Sequence, residues 1–331
     1  MKLGILSGFH TWEESYRKAC EELNIDYVMV SIRSADWMGN IKNVIDDVDG
    51  FIASPPCSYQ EFKTIYDERL FFIDQFFKKP IYPNFRSCYI YESKRNMAAF
   101  LEFYNIPHAK TKVFTKKSIA KDYLKRAVYP LVIKANIGAG GKAVDIVSSY
   151  CKARRIVNKS FGFYKGLFCT GNKPSLSKFG IPIKISGSGQ RHFLIIQDFH
   201  KIKWEWRILK IGNSYFGHQK LLKGNKASGS GLVGWVMPPD EVLYLAKDIC
   251  EKGGFDVMDV DIFETIDGKF LVNELQAQFG SYLDYQMMVD NQPGRLVYSE
   301  ENGFVWEEGI FNKHNSCMLK VENFLEILSK K

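Results

Sequence analysis

Over its first 90 residues the chain alternates short apolar stretches with amphipathic ones, and this alternation limits the fold more than any other feature. Residues 2–7, 27–31 and 50–53 read as strands, the last of them before a turn at Ser54-Pro55-Pro56, and residues 12–23 carry the apolar spacing of a helix. Strands that recur with helices between them favour a parallel sheet covered by helices. The loops at 7–11 and 54–58 would then lie at the edge where open α/β sheets take ligands, although each single residue there reads equally well as ordinary turn.

With 331 residues, 46% of them apolar, the chain has enough material for two or three packed subdomains and is not a disordered polymer. No run approaches the roughly 20 apolar residues of a membrane span, and Met1-Lys2-Leu3-Gly4-Ile5-Leu6 reads as a strand rather than a signal peptide, so a cytoplasmic location is expected. Seven scattered cysteines without a C-x-x-C pair read as reduced thiols, mostly core filler, and six histidines without zinc-site spacing give a transition metal little support. The net charge of +8 is spread along the chain with no arginine-rich tail or nucleic-acid motif. An anionic small substrate is therefore the expected partner ahead of nucleic acid.

Further along, residues 93–104 read as a helix closed by Asn105-Ile106-Pro107. Leu131-Val132-Ile133-Lys134 is an apolar strand that ends in a lysine and runs into Asn136-Ile137-Gly138-Ala139-Gly140-Gly141-Lys142. Glycines let backbone N–H groups approach oxyanions and the lysine adds a point charge, so the segment reads as a phosphate cradle. It is not a P-loop, because Asn136 and Ala143 occupy positions that need glycine and a hydroxyl, and no G-x-G-x-x-G follows the first strand. Residues 144–147 read as a strand and 149–159 as a helix. The glycine-dotted stretch 160–192 has no period and reads as an irregular insertion.

The last third offers strands at 193–197, 206–211 and 215–219, a helix at 240–252, and strands at 257–263 and 269–274 around Asp267-Gly268. If that dipeptide makes the turn, Asp261 and Glu274 face each other across neighbouring strands, and Gln276 shares the face of Glu274 by two-residue alternation. Two carboxylates and an amide oxygen are hard ligands suited to Mg²⁺ held together with phosphates. The alternative is a solvated strand pair, against which stands the apolar setting of Glu274 between Val272 and Leu275.

In this order the features resemble the ATP-grasp superfamily, in particular carboxylate-amine ligases of the type that add glutamate to ribosomal protein S6. The resemblance covers roughly residues 90–285. It implies an α/β fold, α+β in its C-terminal part, with an N-terminal pre-ATP-grasp domain at 1–89. A central subdomain would follow at 90–195 with the phosphate loop and the insertion at 160–192, and a C-terminal subdomain at 196–331 with the metal-binding strands. Lys94 and Lys134 match the two phosphate-contacting lysines, and Gly138, Gly140 and Gly141 the loop that folds over the phosphates. Gln197, Asp198 and Phe199 match the hinge that holds adenine, and Glu205 the acid on the ribose hydroxyls. Arg207 matches the arginine near the transferred phosphoryl group, and Lys220 stands where an arginine is usual. Asp261, Glu274 and Gln276 match the metal series, with Gln276 replacing the usual asparagine and Asp198 a commoner glutamate.

The resemblance implies ATP and Mg²⁺, or Mn²⁺, as cofactors, and an ADP-forming ligase that joins a small carboxylate to a small amine through an acyl phosphate. Sugar acids and amino acids are the substrate classes in view, and a homodimer is the commonest symmetric assembly. A kinase on the same fold and a non-catalytic nucleotide binder are the alternatives. Lys226-Ala227-Ser228-Gly229-Ser230-Gly231 resembles a segment of ATP-grasp proteins from surface-polysaccharide gene sets and reads equally as a flexible turn. Cys57 reads as structural rather than nucleophilic, His200 and His218 as structural with a general base as alternative, and Phe71, Phe72, Phe76 and Phe77 as core. Of Trp204 and Trp206, one is expected to wall the nucleotide pocket and the other to pack against the sheet.

Overall fold

The computed structural model describes residues 1–9, 12–57, 59–138, 144–161, 192–224, 226–227 and 232–330. In the N-terminal unit the strands β1 (Lys2–Ser7), β2 (Asp26–Ser31), β3 (Gly50–Ile52) and β4 (Ile81–Tyr82) form a parallel sheet in the order β2-β1-β3-β4. Helices α1 (Glu13–Glu22), α2 (Trp37–Lys42) and α3 (Gln60–Gln75) connect them, as crossovers between parallel strands require. Two short helices follow, α4 (Phe85–Ile90), capped by the Asn84 side chain on the Ser87 amide, and α5 (Lys94–Phe103).

The central unit is a four-stranded antiparallel sheet, β5 (Thr111–Phe114), β6 (Leu131–Lys134), β7 (Val144–Val147) and β8 (Leu194–Asp198), in the order β5-β8-β6-β7. Helices α6 (Lys117–Arg126) and α7 (Tyr150–Ser160) cover it over a small core that includes Leu124, Ile133, Val157 and Leu194. Most of the expected insertion at 160–192, together with Gly140 and Gly141, lies outside the described residues.

The third unit is built on a large antiparallel sheet. Strands β9 (Ile202–Ile211) and β10 (Ser214–Lys220) form a hairpin, followed by the short pieces β11 (Leu222–Lys223), β12 (Lys226–Ala227) and β13 (Val233–Gly234). Helix α8 (Asp240–Gly253) leads into β14 (Val257–Thr265) and β15 (Phe270–Gln276), turning at Gly268 with a φ of 81°. Strands β16 (Met288–Val289), β17 (Gln292–Ser299) and β18 (Gly303–Glu308) complete the sheet, and α9 (Cys317–Ser329) follows. The main path runs β15-β14-β9-β10-β17-β16.

One apolar cluster joins the outer units: Leu3, Ile5, Tyr16, Ile52 and Tyr82 belong to the same core as Ile208, Val260, Leu275 and Phe324. A second cluster, with Phe51, Phe62, Tyr66 and Leu70, fills the other side of the parallel sheet. Two expectations about aromatic residues fail, the second only in part, since Trp206 does pack against the sheet. Phe71, Phe72 and Phe76 are exposed by 43, 39 and 68%, because α3 spends its inward stripe on Phe62, Tyr66, Leu70 and Ile73; only Phe77 packs against the core. Trp204 and Trp206 alternate with Glu205 and Arg207 along β9, which puts both indoles on the opposite face of the sheet from those charged side chains.

Candidate active site

The expected turn and register place the acidic hairpin as the sequence requires: Asp261 on β14 lies directly opposite Glu274 on β15, and Asp259 opposite Gln276. On its other side Asp261 pairs with Arg207 of β9, which in turn pairs with His218 of β10, while Glu205 pairs with Lys220. Two-residue alternation then sends Glu205, Arg207, His218, Lys220, Asp259, Asp261, Glu274 and Gln276 to one face of the sheet, with Ile208, Val260 and Leu275 on the other. A bulge between Asp261 and Ile262 pairs Ile262 with Val272 and leaves Asn273 over, so Asn273 also joins the charged face.

The central sheet and α5 bring cations to this face. Lys94, the first residue of α5, sits 3.3 Å from Glu274 Oε1 and donates to the Gly138 carbonyl at 3.3 Å. Lys134, at the end of β6, donates to Asn273 Oδ1 at 2.9 Å, and the Asn273 amide donates to Glu205 Oε2 at 2.7 Å. Lys220 binds Glu205 at 2.7 Å and also Asp261. Arg207 reaches Asp261 at 3.1 Å, Asp259 at 2.8 Å and the Gln276 amide oxygen at 3.4 Å. The lysine before the glycine loop and the acidic hairpin, separated by some 140 residues, thus meet through Asn273 and Lys94.

Asn136 ties the start of the glycine loop to its surroundings. Its backbone carbonyl accepts from the Lys94 amide, its side-chain oxygen from the Arg95 amide at 2.9 Å, and its side-chain amide donates to Gln60 at 2.7 Å. The Gly138 amide donates to Glu92 Oε2 at 3.2 Å, and with a φ of 148° Gly138 holds a conformation that a side chain would strain.

Burial dominates the electrostatics, and the neighbours decide its sign. Desolvation pushes the Lys134 amine down to about 8, and Lys94 beside it acts in the same direction. Burial also opposes the charge of Lys94, but Glu274 and Glu92 outweigh it and the Lys94 amine titrates above its ordinary value. The Asp261 carboxyl lies low because Arg207 and Lys220 overcome its desolvation, and Glu274 lies low because Lys94 does the same. Glu205 and Asp259 go the other way: burial raises both in spite of Lys220 and Arg207 respectively. Asp259 is 0% exposed and its oxygens receive no well-aligned hydrogen bond among the described residues.

The residues named from the sequence divide accordingly. Lys94, Lys134, Gly138, Glu205, Arg207, Lys220, Asp261, Glu274 and Gln276 come together in one constellation. Gln197 lies on the central sheet, 5% exposed, and donates to the Thr111 hydroxyl at 3.0 Å, with Asp198 and Phe199 following it at the end of β8. Asp259 and Asn273 were not singled out by the sequence. Alternation from Asp261 points to Asp259, whereas Asn273 is found only through the bulge. The donor set suits a Mg²⁺ ion: Asp261, Glu274 and the Gln276 amide oxygen offer hard oxygens, few enough to leave positions for phosphate and water. Among the described residues no group of three or more His, Cys, Asp or Glu residues is placed to hold a metal ion.

A family model for the ATP-grasp (A) domain of phosphoribosylglycinamide synthetase matches residues 92–171, beginning two residues before Lys94. A solved ADP complex of an N5-carboxyaminoimidazole ribonucleotide synthetase superposes over 90% of this chain and 81% of its own, with a TM-score of 0.62 at 13% identity. The chain has the ATP-grasp fold. A RimK-domain ATP-grasp protein from Sphaerobacter thermophilus shares the ATP-grasp fold over 83% of this chain and 90% of that one, with a TM-score of 0.54 at 15% identity.

Among curated proteins, this chain is 29% identical over 154 residues to a phosphoribosylamine–glycine ligase of Clostridium acetobutylicum, covering 44% of this chain and 32% of that protein. It is 35% identical over 86 residues to the chloroplastic phosphoribosylamine–glycine ligase of Arabidopsis thaliana, covering 26% and 16%. The chain therefore spans a third or less of the length of these curated relatives. None of its helices, among the described residues, is long and apolar enough to cross a membrane.

Proposed function

We propose that the chain is an ADP-forming carboxylate-amine ligase that works through an acyl phosphate. The observation that carries this reading is the meeting of Lys94 and Lys134 with Glu274, Asn273 and Asp261 on one sheet face, since it supplies cations for a triphosphate and hard oxygens for its metal in the same place. The relatives named phosphoribosylamine–glycine ligase and the fold neighbour named as a synthetase support the class of reaction.

In the first step a carboxylate oxygen attacks the γ-phosphorus, the bond to the β-phosphate oxygen breaks, and ADP leaves. Lys94, Lys134 and Arg207 would neutralise charge on the phosphoryl oxygens, a task of positioning and electrostatics more than of covalent chemistry. Mg²⁺, held by Asp261, Glu274 and the Gln276 amide oxygen, would supply further charge neutralisation when bound. In the second step an amine nitrogen attacks the acyl carbon, phosphate leaves with the electrons of the C–O bond, and the nitrogen gives up a proton. Gln197, Asp198 and Phe199 would hold adenine and Glu205 the ribose. Gly138 would lie against the phosphates, where its backbone can approach their oxygens.

A phosphate-release screen over pairs of carboxylates and amines, including sugar acids and amino acids, tests the reading, with phosphate expected only where both are present. Hydroxylamine should trap the acyl phosphate as a hydroxamate; transfer to a stable phosphorylated product instead would establish a kinase. Lys134→Ala and Glu274→Ala should each lower kcat/KM by about 2.7 kcal/mol or more, the scale of losing one preorganised charge contact. Undiminished turnover by either variant would remove it from the phosphate or metal site.

A further inference from the structure

The charged face does not end at Arg207. Read across the sheet, the row Glu274, Asp261, Arg207, His218 runs from β15 to β10, with each strand about 4.8 Å from the next. On the ligase reading, on which this inference rests, the carboxylates mark the metal end and Arg207 the phosphoryl group in transfer. His218 then stands one strand beyond the phosphorus, on the side where the acyl carbon and its attacker must lie.

The imidazole of His218 is set up as an acceptor. Nδ1 lies 3.0 Å from the Gln286 carbonyl oxygen. A carbonyl can only accept, so Nδ1 carries the hydrogen and the lone pair of the neutral ring is on Nε2. Burial, with Arg207 and Lys220 adding to it, holds the ring down to about 4 and keeps it neutral at physiological pH. No hydrogen bond to Nε2 is formed among the described residues.

Aromatic rings continue the wall. Trp235 lies 5.2 Å from the His218 ring, centroid to centroid, and Tyr285 lies 5.3 Å from Trp235. Both are partly exposed. A lone pair that only accepts, beside two aromatic faces, recognises a cation bearing N–H groups: the lone pair takes one N–H and the ring quadrupoles attract the charge. The nearby cations do not preclude this, because Asp261 pairs with both Arg207 and Lys220, and a bound triphosphate adds further negative charge. We propose that His218, Trp235 and Tyr285 form the subsite for the amine substrate, which enters as a primary ammonium after the nucleotide and donates an N–H to His218 Nε2.

Binding is tested on the full chain, ¹⁵N-labelled at histidine and loaded with Mg²⁺ and a non-hydrolysable ATP analogue. The His218 resonances are identified by their loss in His218→Asn. Titration with n-butylammonium chloride should move the Nε2 signal saturably, and tetramethylammonium, which has no N–H, should not move it. Tyr285→Ala, at a partly exposed position, should weaken the n-butylammonium response about tenfold while the protein stays folded. An unmoved Nε2 signal, an equal response to tetramethylammonium, or an unaltered response in Tyr285→Ala would overturn the proposal.

Turnover gives a second reading. With an amine found active in the phosphate screen, His218→Asn should raise KM for that amine about 10- to 100-fold, the range for losing a hydrogen bond to a charged group, and leave KM for ATP unchanged. A change in KM for ATP with none for the amine would place His218 elsewhere. A screen in which no pair of substrates releases phosphate would fail the ligase reading, while the histidine signal still judges the subsite by itself.

Discussion

Lys134 shows how a residue's surroundings set its chemistry. Its side chain is 7% exposed and hydrogen-bonded to an uncharged amide, Asn273, with Lys94 close by, so the folded protein holds its amine near 8 against an ordinary 10.5. Between those values the unfolded chain keeps a proton that the folded chain has released. Stability of the nucleotide-free protein should therefore rise with pH across that window, by roughly 3 kcal/mol from this group. Lys320, fully buried and likewise held near 8, contributes in the same direction. Comparison with Lys134→Met separates the two: urea midpoints measured from pH 8 to pH 10.5 should rise less steeply in the variant, and parallel curves would show that burial does not depress this amine. A triphosphate supplies the anion that Lys134 lacks, so nucleotide binding should take up a proton near pH 8, detectable as a buffer-dependent heat in calorimetry.

Among the elements, strands with simple alternation were legible and departures from it were not. The edges of β1, β6 and β7 agree with their apolar runs, and the Asp267-Gly268 turn gives the register that sets Asp261 against Glu274. Strand β9 begins at Ile202, four residues before the expected start, because Lys203 and Glu205 dilute its apolar pattern although their side chains pair with Glu264 and Lys220. The bulge that delivers Asn273 depends on how β14 and β15 twist together, which no local pattern records. The exposed Phe71, Phe72 and Phe76 show the same limit, since spacing alone does not say which stripe of α3 turns inward. Next to His218, Gly217 is a glycine for want of room: a Cβ there would lie 2.2 Å from Pro238 Cγ and 3.0 Å from Ile208 Cδ1. Gly217→Ala should cost about 1–3 kcal/mol through overpacking, read as a lower urea midpoint at unchanged slope. A variant as stable as the parent would show that the loop carrying Pro238 can move aside.

At the scale of the whole molecule, a shared core crosses the boundary near residue 89 that the resemblance implies. One face of the N-terminal sheet, through Leu3, Ile5, Ile52 and Tyr82, belongs to the core of the large antiparallel sheet. Helix α9 makes the joint: Phe324, 1% exposed, stacks on Tyr82 at 5.2 Å, a Cβ on Gly50 would lie 2.6 Å from its ring, and Asn323 accepts a hydrogen bond from the Tyr82 hydroxyl at 2.9 Å. The glycine loop is tied to the same unit through Asn136 and Gln60, so the N-terminal sheet holds one end of the phosphate site as well as part of the shared core. Residues 1–89 should then be unable to fold alone. The isolated fragment is expected to give poorly dispersed amide resonances and no cooperative melting, whereas the full chain should lose its far-ultraviolet and tryptophan signals in one transition. Phe324→Ala should destabilise that transition by about 3–5 kcal/mol, the range for emptying a buried aromatic site. A fragment that melts cooperatively, or a Phe324→Ala protein as stable as the parent, would mean that the N-terminal sheet supports itself and only rests against the rest of the chain.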